Sequence, residues 1–163
     1  MNHDAYTDDY IRDVLASVRT IAMVGASDNW NRPSYFAMKY LQKKGYRVIP
    51  VNPRAAGEIV LGETVVAELK DITVPFDMVD IFRNAEAAGP ITREALALAK
   101  DRGIKVVWMQ LGVRNDAAAA EAEAAGLRVV MNRCPKIEYA RLHGELSWNG
   151  INSQVISSKR RRL

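Results

Sequence analysis

Five short apolar runs, each closed by turn residues, constrain this chain more than any other feature. They are Ile21 to Val24, Tyr46 to Val51, Met78 to Phe82, Ile104 to Met109 and Leu127 to Met131. The most compact of them, Ile21-Ala22-Met23-Val24, is continuous rather than alternating, which suits a strand covered on both faces. Helical stretches stand between them at Pro33 to Lys44, Pro90 to Arg102 and Asp116 to Ala125, closed by Gly45, Gly103 and Gly126. Proline fits a first helical turn and glycine the residue past a helix end. A strand, helix, strand unit of this length joins parallel neighbours through a right-handed crossover. The rhythm therefore predicts an α/β fold: a Rossmann-like, doubly wound, mainly parallel five-stranded sheet inside three α/β/α layers.

A further amphipathic helix is expected over residues 7–18, with Ile11, Val14, Leu15 and Val18 on one face and Asp8 and Asp9 in its first turn. At 163 residues, 48% hydrophobic and 26% charged, the chain suits one domain, expected over 1–150. Residues 151–163 form a polar, basic tail for which disorder is expected. Lys159, Arg160, Arg161 and Arg162 account for the net charge of +4, and without them acidic and basic residues balance. That tail could attract polyanions, but no aromatic-basic recognition surface accompanies it, so nucleic acid is not an expected partner. The polar, acidic start and the lack of a long apolar run predict a cytoplasmic protein without a membrane span. One cysteine, Cys134, and two histidines, His3 and His143, predict neither a disulfide framework nor a metal site.

In open α/β sheets ligands bind beyond the carboxyl ends of the strands, where strand order reverses. The rule selects Gly25-Ala26-Ser27, Val51-Asn52-Pro53-Arg54, Phe82-Arg83-Asn84, Met109-Gln110-Leu111-Gly112 and Asn132-Arg133-Cys134-Pro135. Gly25 allows a sharp turn, and the following amides, the Ser27 hydroxyl and the next helix's positive end suit a phosphate. Arg32 could add a charge-assisted contact. Arg83 suits a phosphate or a ligand arm, and Gln110 a ligand amide. Cys134 has no histidine placed to activate it and is expected as a buried or half-buried thiol.

Two absences narrow the ligand. A dinucleotide fingerprint needs three glycines and an acid at the end of the second strand to hold a ribose diol. Here Gly25 is followed by Ala26, Ser27, Asp28, Asn29 and Trp30, and the acid's place is taken by Asn52-Pro53-Arg54. Arg54 could face a ribose phosphate, which both NADP and coenzyme A carry. The residues argue against NAD and leave those two open.

The segments IAMVGAS, VIPVNP, DIFRN, VVWMQLGV and VVMNRCP, in that order from Arg19 to Leu146, resemble the stand-alone CoA-binding domain proteins. These are similar to the CoA-binding domain of the succinyl-CoA synthetase alpha subunit. The resemblance implies coenzyme A or an acyl-CoA as ligand. It places Gly25, Ala26 and Ser27 at the nucleotide phosphates and Val51, Asn52, Pro53 and Arg54 beside the adenosine. Phe82, Arg83, Met109, Gln110 and Leu111 would border the ligand along the sheet edge. Asn132, Cys134 and Pro135 resemble the synthetase's Asn-Cys-Pro turn, with Arg133 inserted. The synthetase's phosphorylated histidine belongs to a second domain, and neither His3 nor His143 occupies a comparable place. No nucleophile-base pair or paired carboxylates appear in the strand-end loops, so a noncatalytic binder with no catalytic residues is expected. An enzyme acting on a CoA thioester or an NADP-linked substrate, and a nucleotide-binding subunit of a ligase-like complex, stand as alternatives. A homodimer or a partner subunit is left open.

Overall fold

The computed structural model describes residues 1–145. The tail expected at 151–163, with its Lys159 to Arg162 cluster, lies outside the described residues. Thr7 accepts a hydrogen bond from the Tyr10 N–H and so caps α1 (Asp8–Ala16). β1 (Thr20–Val24) follows, then α2 (Pro33–Lys43), opened by Pro33 as expected, and β2 (Arg47–Val51).

The connection from β2 onward holds a feature that the apolar pattern does not announce. A small antiparallel hairpin pairs β3 (Ile59–Val60) with β4 (Glu63–Thr64). Its turn residues Leu61 and Gly62 both have positive φ, the twist that suits a two-residue hairpin loop. Just beyond it, Val66 bridges to Val51 and covers part of the exposed edge of β2.

The remaining strands and helices are β5 (Met78–Ile81), α3 (Ala85–Arg102), β6 (Val106–Met109), α4 (Asp116–Ala124), β7 (Arg128–Val130) and α5 (Pro135–Leu142). Helix α3 corrects the expected start at Pro90: it begins five residues earlier. Asn84 accepts from the Ala87 N–H as its cap, and Glu86 sits in its first turn. Pro90 forfeits one intrahelical bond, but this strong N-terminal signal keeps the helix intact. Its other end is as expected, with Gly103 in the left-handed conformation at φ +79°. Helix α5 is absent from the sequence reading, because its buried face rests on Pro135, Glu138 and Ala140 and carries little apolar periodicity.

The sheet order is β2-β1-β5-β6-β7 with every pair parallel. The chain leaves β1 in one direction to form β2, then crosses back to build β5, β6 and β7 on the other side. Right-handed crossovers in opposite directions put helices on opposite faces. α1, α2 and α5 cover one face over a core including Ile11, Met38, Leu41, Met23 and Trp108. α3 and α4 cover the other over Val79, Ile81, Val107, Met109 and Val129. The strands β5 and β6 are buried throughout, which explains their nearly uninterrupted apolar sequence. At the β7 edge, Tyr6 Oη accepts from the Met131 N–H and Tyr10 Oη donates to the Val129 carbonyl. Two side chains thus occupy backbone groups that a free edge would expose.

Candidate ligand-binding site

The strand order reverses between β1 and β5, so the crevice at their carboxyl ends is the topological switch point. Gly25 ends β1 there with φ +87°, and a Cβ at this position would lie 2.4 Å from the Phe82 carbonyl oxygen. The glycine is therefore demanded by the close approach of the β5 end as well as by the turn. The Ala26 carbonyl accepts from Asn52 Nδ2, and Asn52 Oδ1 accepts from the Arg54 N–H. Asn52 thus ties the end of β2 to the loop after β1 through its Nδ2, while its Oδ1 caps the turn that follows β2.

The loop before α2 is held by its own polar groups. The Ser27 N–H donates to the buried Ser34 hydroxyl, and Ser27 Oγ accepts from the Asn29 N–H. Arg32 precedes Pro33 as the helix cap, without a side-chain capping bond. Arg32 and Arg54 are both exposed and neither enters an ion pair among the described residues. This end of the edge offers cations and a helix N-terminus.

The other end is a cleft of about 560 Å³ between α2, the β5 and β6 ends, and α5. Five sequence-predicted residues meet in it: Phe82, Arg83, Gln110, Leu111 and Cys134. Phe36 and Leu111 stand at its mouth, 47% and 56% exposed, and join the apolar lining to the surface. Arg83 is exposed and without an ion pair among the described residues. Strand placement alone raises the concern of a buried, unpaired guanidinium; its exposure removes that cost.

Other predicted residues lie elsewhere. Met109 and Val51 are buried in the core beneath α3 and α4, so their side chains do not reach the cleft. Asn132, at φ +52°, accepts the Gly112 N–H on its Oδ1 and links the β7 loop to the β6 loop. The inserted Arg133 supports the same corner, its carbonyl accepting from Trp108 Nε1 and its guanidinium lying over the Tyr6 ring.

The cleft also recruits residues that strand-end reasoning missed. Phe36 and Ala37 come from α2, and Lys136 and Ile137 from the unforeseen α5. Beneath it lies Asp80, fully buried in β5, whose two carboxylate oxygens accept from Gln110 Nε2 at 2.9 and 3.1 Å. A carboxylate inside the apolar run Met78 to Phe82 was the available signal, since such a group is not buried without reason. Burial pushes the Asp80 carboxyl up to about 7, with the Gln110 bond opposing the shift. Cys134 is also pushed up, to about 11, first by burial and further by the Asp80 charge. It is a neutral thiol near pH 7. Among the described residues no group of three or more His, Cys, Asp or Glu could hold a metal ion, and no helix is long and apolar enough to cross a membrane.

Residues 19–140, from the start of β1 into α5, match the family model described as CoA binding domain. The chain belongs to the CoA binding domain family. A relative in this comparison is the uncharacterized protein YneT of Bacillus subtilis (strain 168), 35% identical over 130 residues, covering 80% of this chain and 92% of that protein. A hypothetical protein from Pyrococcus horikoshii OT3 superposes with a TM-score of 0.78 at 38% identity, covering 88% of this chain and 97% of that one. The dinucleotide forming acetyl-coenzyme A synthetase 1 of Ca. Korarchaeum cryptofilum shares the fold, with a TM-score of 0.58 at 20% identity. That match spans 69% of this chain and 25% of the synthetase chain. The CoA binding domain family thus agrees with the resemblance carried by the ordered strand-end motifs.

Proposed function

We propose that this protein binds coenzyme A or an acyl-CoA along the carboxyl edge of its sheet, as a single noncatalytic domain. The observation that carries this reading is the two-part character of that edge. Arg32, Arg54 and the α2 N-terminus flank the β1 and β2 ends, while a mainly apolar cleft, with Arg83 and Lys136 in its lining, opens between α2, the β5 and β6 ends and α5. Four strand spacings of roughly 4.8 Å separate the outermost strands by about 19 Å. A ligand filling such an edge is elongated, charged at one end and flexible and weakly polar at the other. Coenzyme A has this form, with phosphates on its nucleotide and a pantetheine arm ending in a thiol. Family membership supports the same ligand.

The states of Cys134 and Asp80 favour binding over chemistry in this reading. Cys134 holds its proton near pH 7, and Asp80 is occupied by Gln110. Thermal shift with CoA, acetyl-CoA, NAD and NADP tests the reading. A ligand at about 100 times its Kd should add about 2.7 kcal/mol of stability, and CoA or acetyl-CoA is expected to do so. Stabilisation by NAD or NADP with none from CoA would overturn it.

A further inference from the structure

We propose that Asp80 is a positioning residue that fixes the Gln110 amide, so that the cleft presents a hydrogen-bond acceptor to an amide N–H of the pantetheine arm. The proposal rests on the coenzyme A reading and specifies how that ligand is recognised. An ionised carboxylate can only accept, so the Gln110 amide must turn its nitrogen inward. Both Asp80 oxygens take that nitrogen. Gln110 is only 6% exposed, yet its Oε1 has no partner among the described residues and is not sealed from solvent. Gln110 lines the cleft, so the open side of its amide is the cleft side. An acceptor held in an apolar recess selects a ligand with an N–H there and discriminates against one lacking it.

The orientation depends on Asp80 being charged. A protonated Asp80 gains an O–H that can donate to Gln110 Oε1, closing a two-bond ring and withdrawing the acceptor from the cleft. Among the described residues no guanidinium or ammonium pairs with Asp80 to prevent this. The loop after β6 contributes Gln110 and the residue capping α5 the neutral Cys134, while Arg83 and Lys136 line the cleft above. α2 contributes only Pro33, Phe36 and Ala37 to the cleft. Recognition of the N–H should therefore weaken as pH falls through about 7.

Calorimetric titration of the full chain with CoA and with two analogues tests this. Each analogue replaces one amide N–H of the arm with an ester oxygen. At pH 8 one of them should bind about tenfold more weakly than CoA. Gln110→Leu should bind CoA and that analogue equally. In the wild type the discrimination should shrink by pH 5.5, and Asp80→Asn should show the reduced discrimination at both pH values. CoA binding without discrimination at pH 8, or discrimination retained in Gln110→Leu, overturns the proposal and leaves the coenzyme A reading standing. Failure of the wild type to bind CoA rejects that reading instead. Should Gln110→Leu not fold, a wild-type discrimination ratio independent of pH overturns the proposal.

Discussion

Replacing Asp80 with asparagine keeps the side chain's shape and removes its charge from the centre of the sheet. The carboxyl rises from 3.8 to about 7 on folding because burial penalises the ionised form. A folded pKa above the unfolded one means that the native state holds its proton more tightly. The stabilisation is complete below about pH 3.8, declines as pH rises, and is gone once pH passes about 7. The slope is about 1.4 kcal/mol per pH unit well below the folded pKa and halves at it, so the wild type should lose about 2 kcal/mol between pH 5 and pH 7 from this group alone. The asparagine of the variant does not titrate. The stability difference between Asp80→Asn and wild type should therefore move in the variant's favour by about 2 kcal/mol over that interval and level off by about pH 8. Taking the difference cancels every other titrating group. Urea unfolding of both proteins at pH 5, 6, 7 and 8 measures it. Parallel stability profiles would refute the buried, proton-holding Asp80.

Three further outcomes follow from the site. Gly25→Ala should cost about 3 kcal/mol or more in urea unfolding, because it combines φ +87° with a contact 2.4 Å from the Phe82 carbonyl; a cost under about 1 kcal/mol would contradict that geometry. Cys134 alkylation by iodoacetamide should still be accelerating at pH 10, since burial holds the thiol near 11. A rate plateau below pH 9 would contradict it. Arg54→Ala should weaken CoA about tenfold and dephospho-CoA little, if Arg54 meets the ribose phosphate; equal losses would remove Arg54 from that role.

The elements legible in the sequence each have one dominant local cause. Ile21 to Val24 reads as a strand because both faces of β1 are covered, and Pro33 and Gly45 bracket α2 through backbone geometry that needs no tertiary information. Pro90 and Asn84 are competing local start signals for α3, and the Asn84 cap decides where it begins. The hairpin at Ile59 to Thr64 escaped notice because two-residue strands carry no periodicity. Helix α5 escaped because its buried positions are not an apolar stripe.

The sequence by itself determined the layered α/β fold and the set of strand-end loops where a ligand would sit. Strand alternation and its crossover rule depend only on burial and chirality, and both are written in short stretches of chain. Which loop residues share a cleft was a tertiary matter. Phe36, Lys136 and Ile137 enter it from two helices that face β5 and β6 only after the sheet has formed. Met109 and Val51 leave it because alternate residues of a strand point to opposite faces. The Asp80–Gln110 bond joins residues thirty positions apart, and only the parallel register of β5 against β6 brings them together.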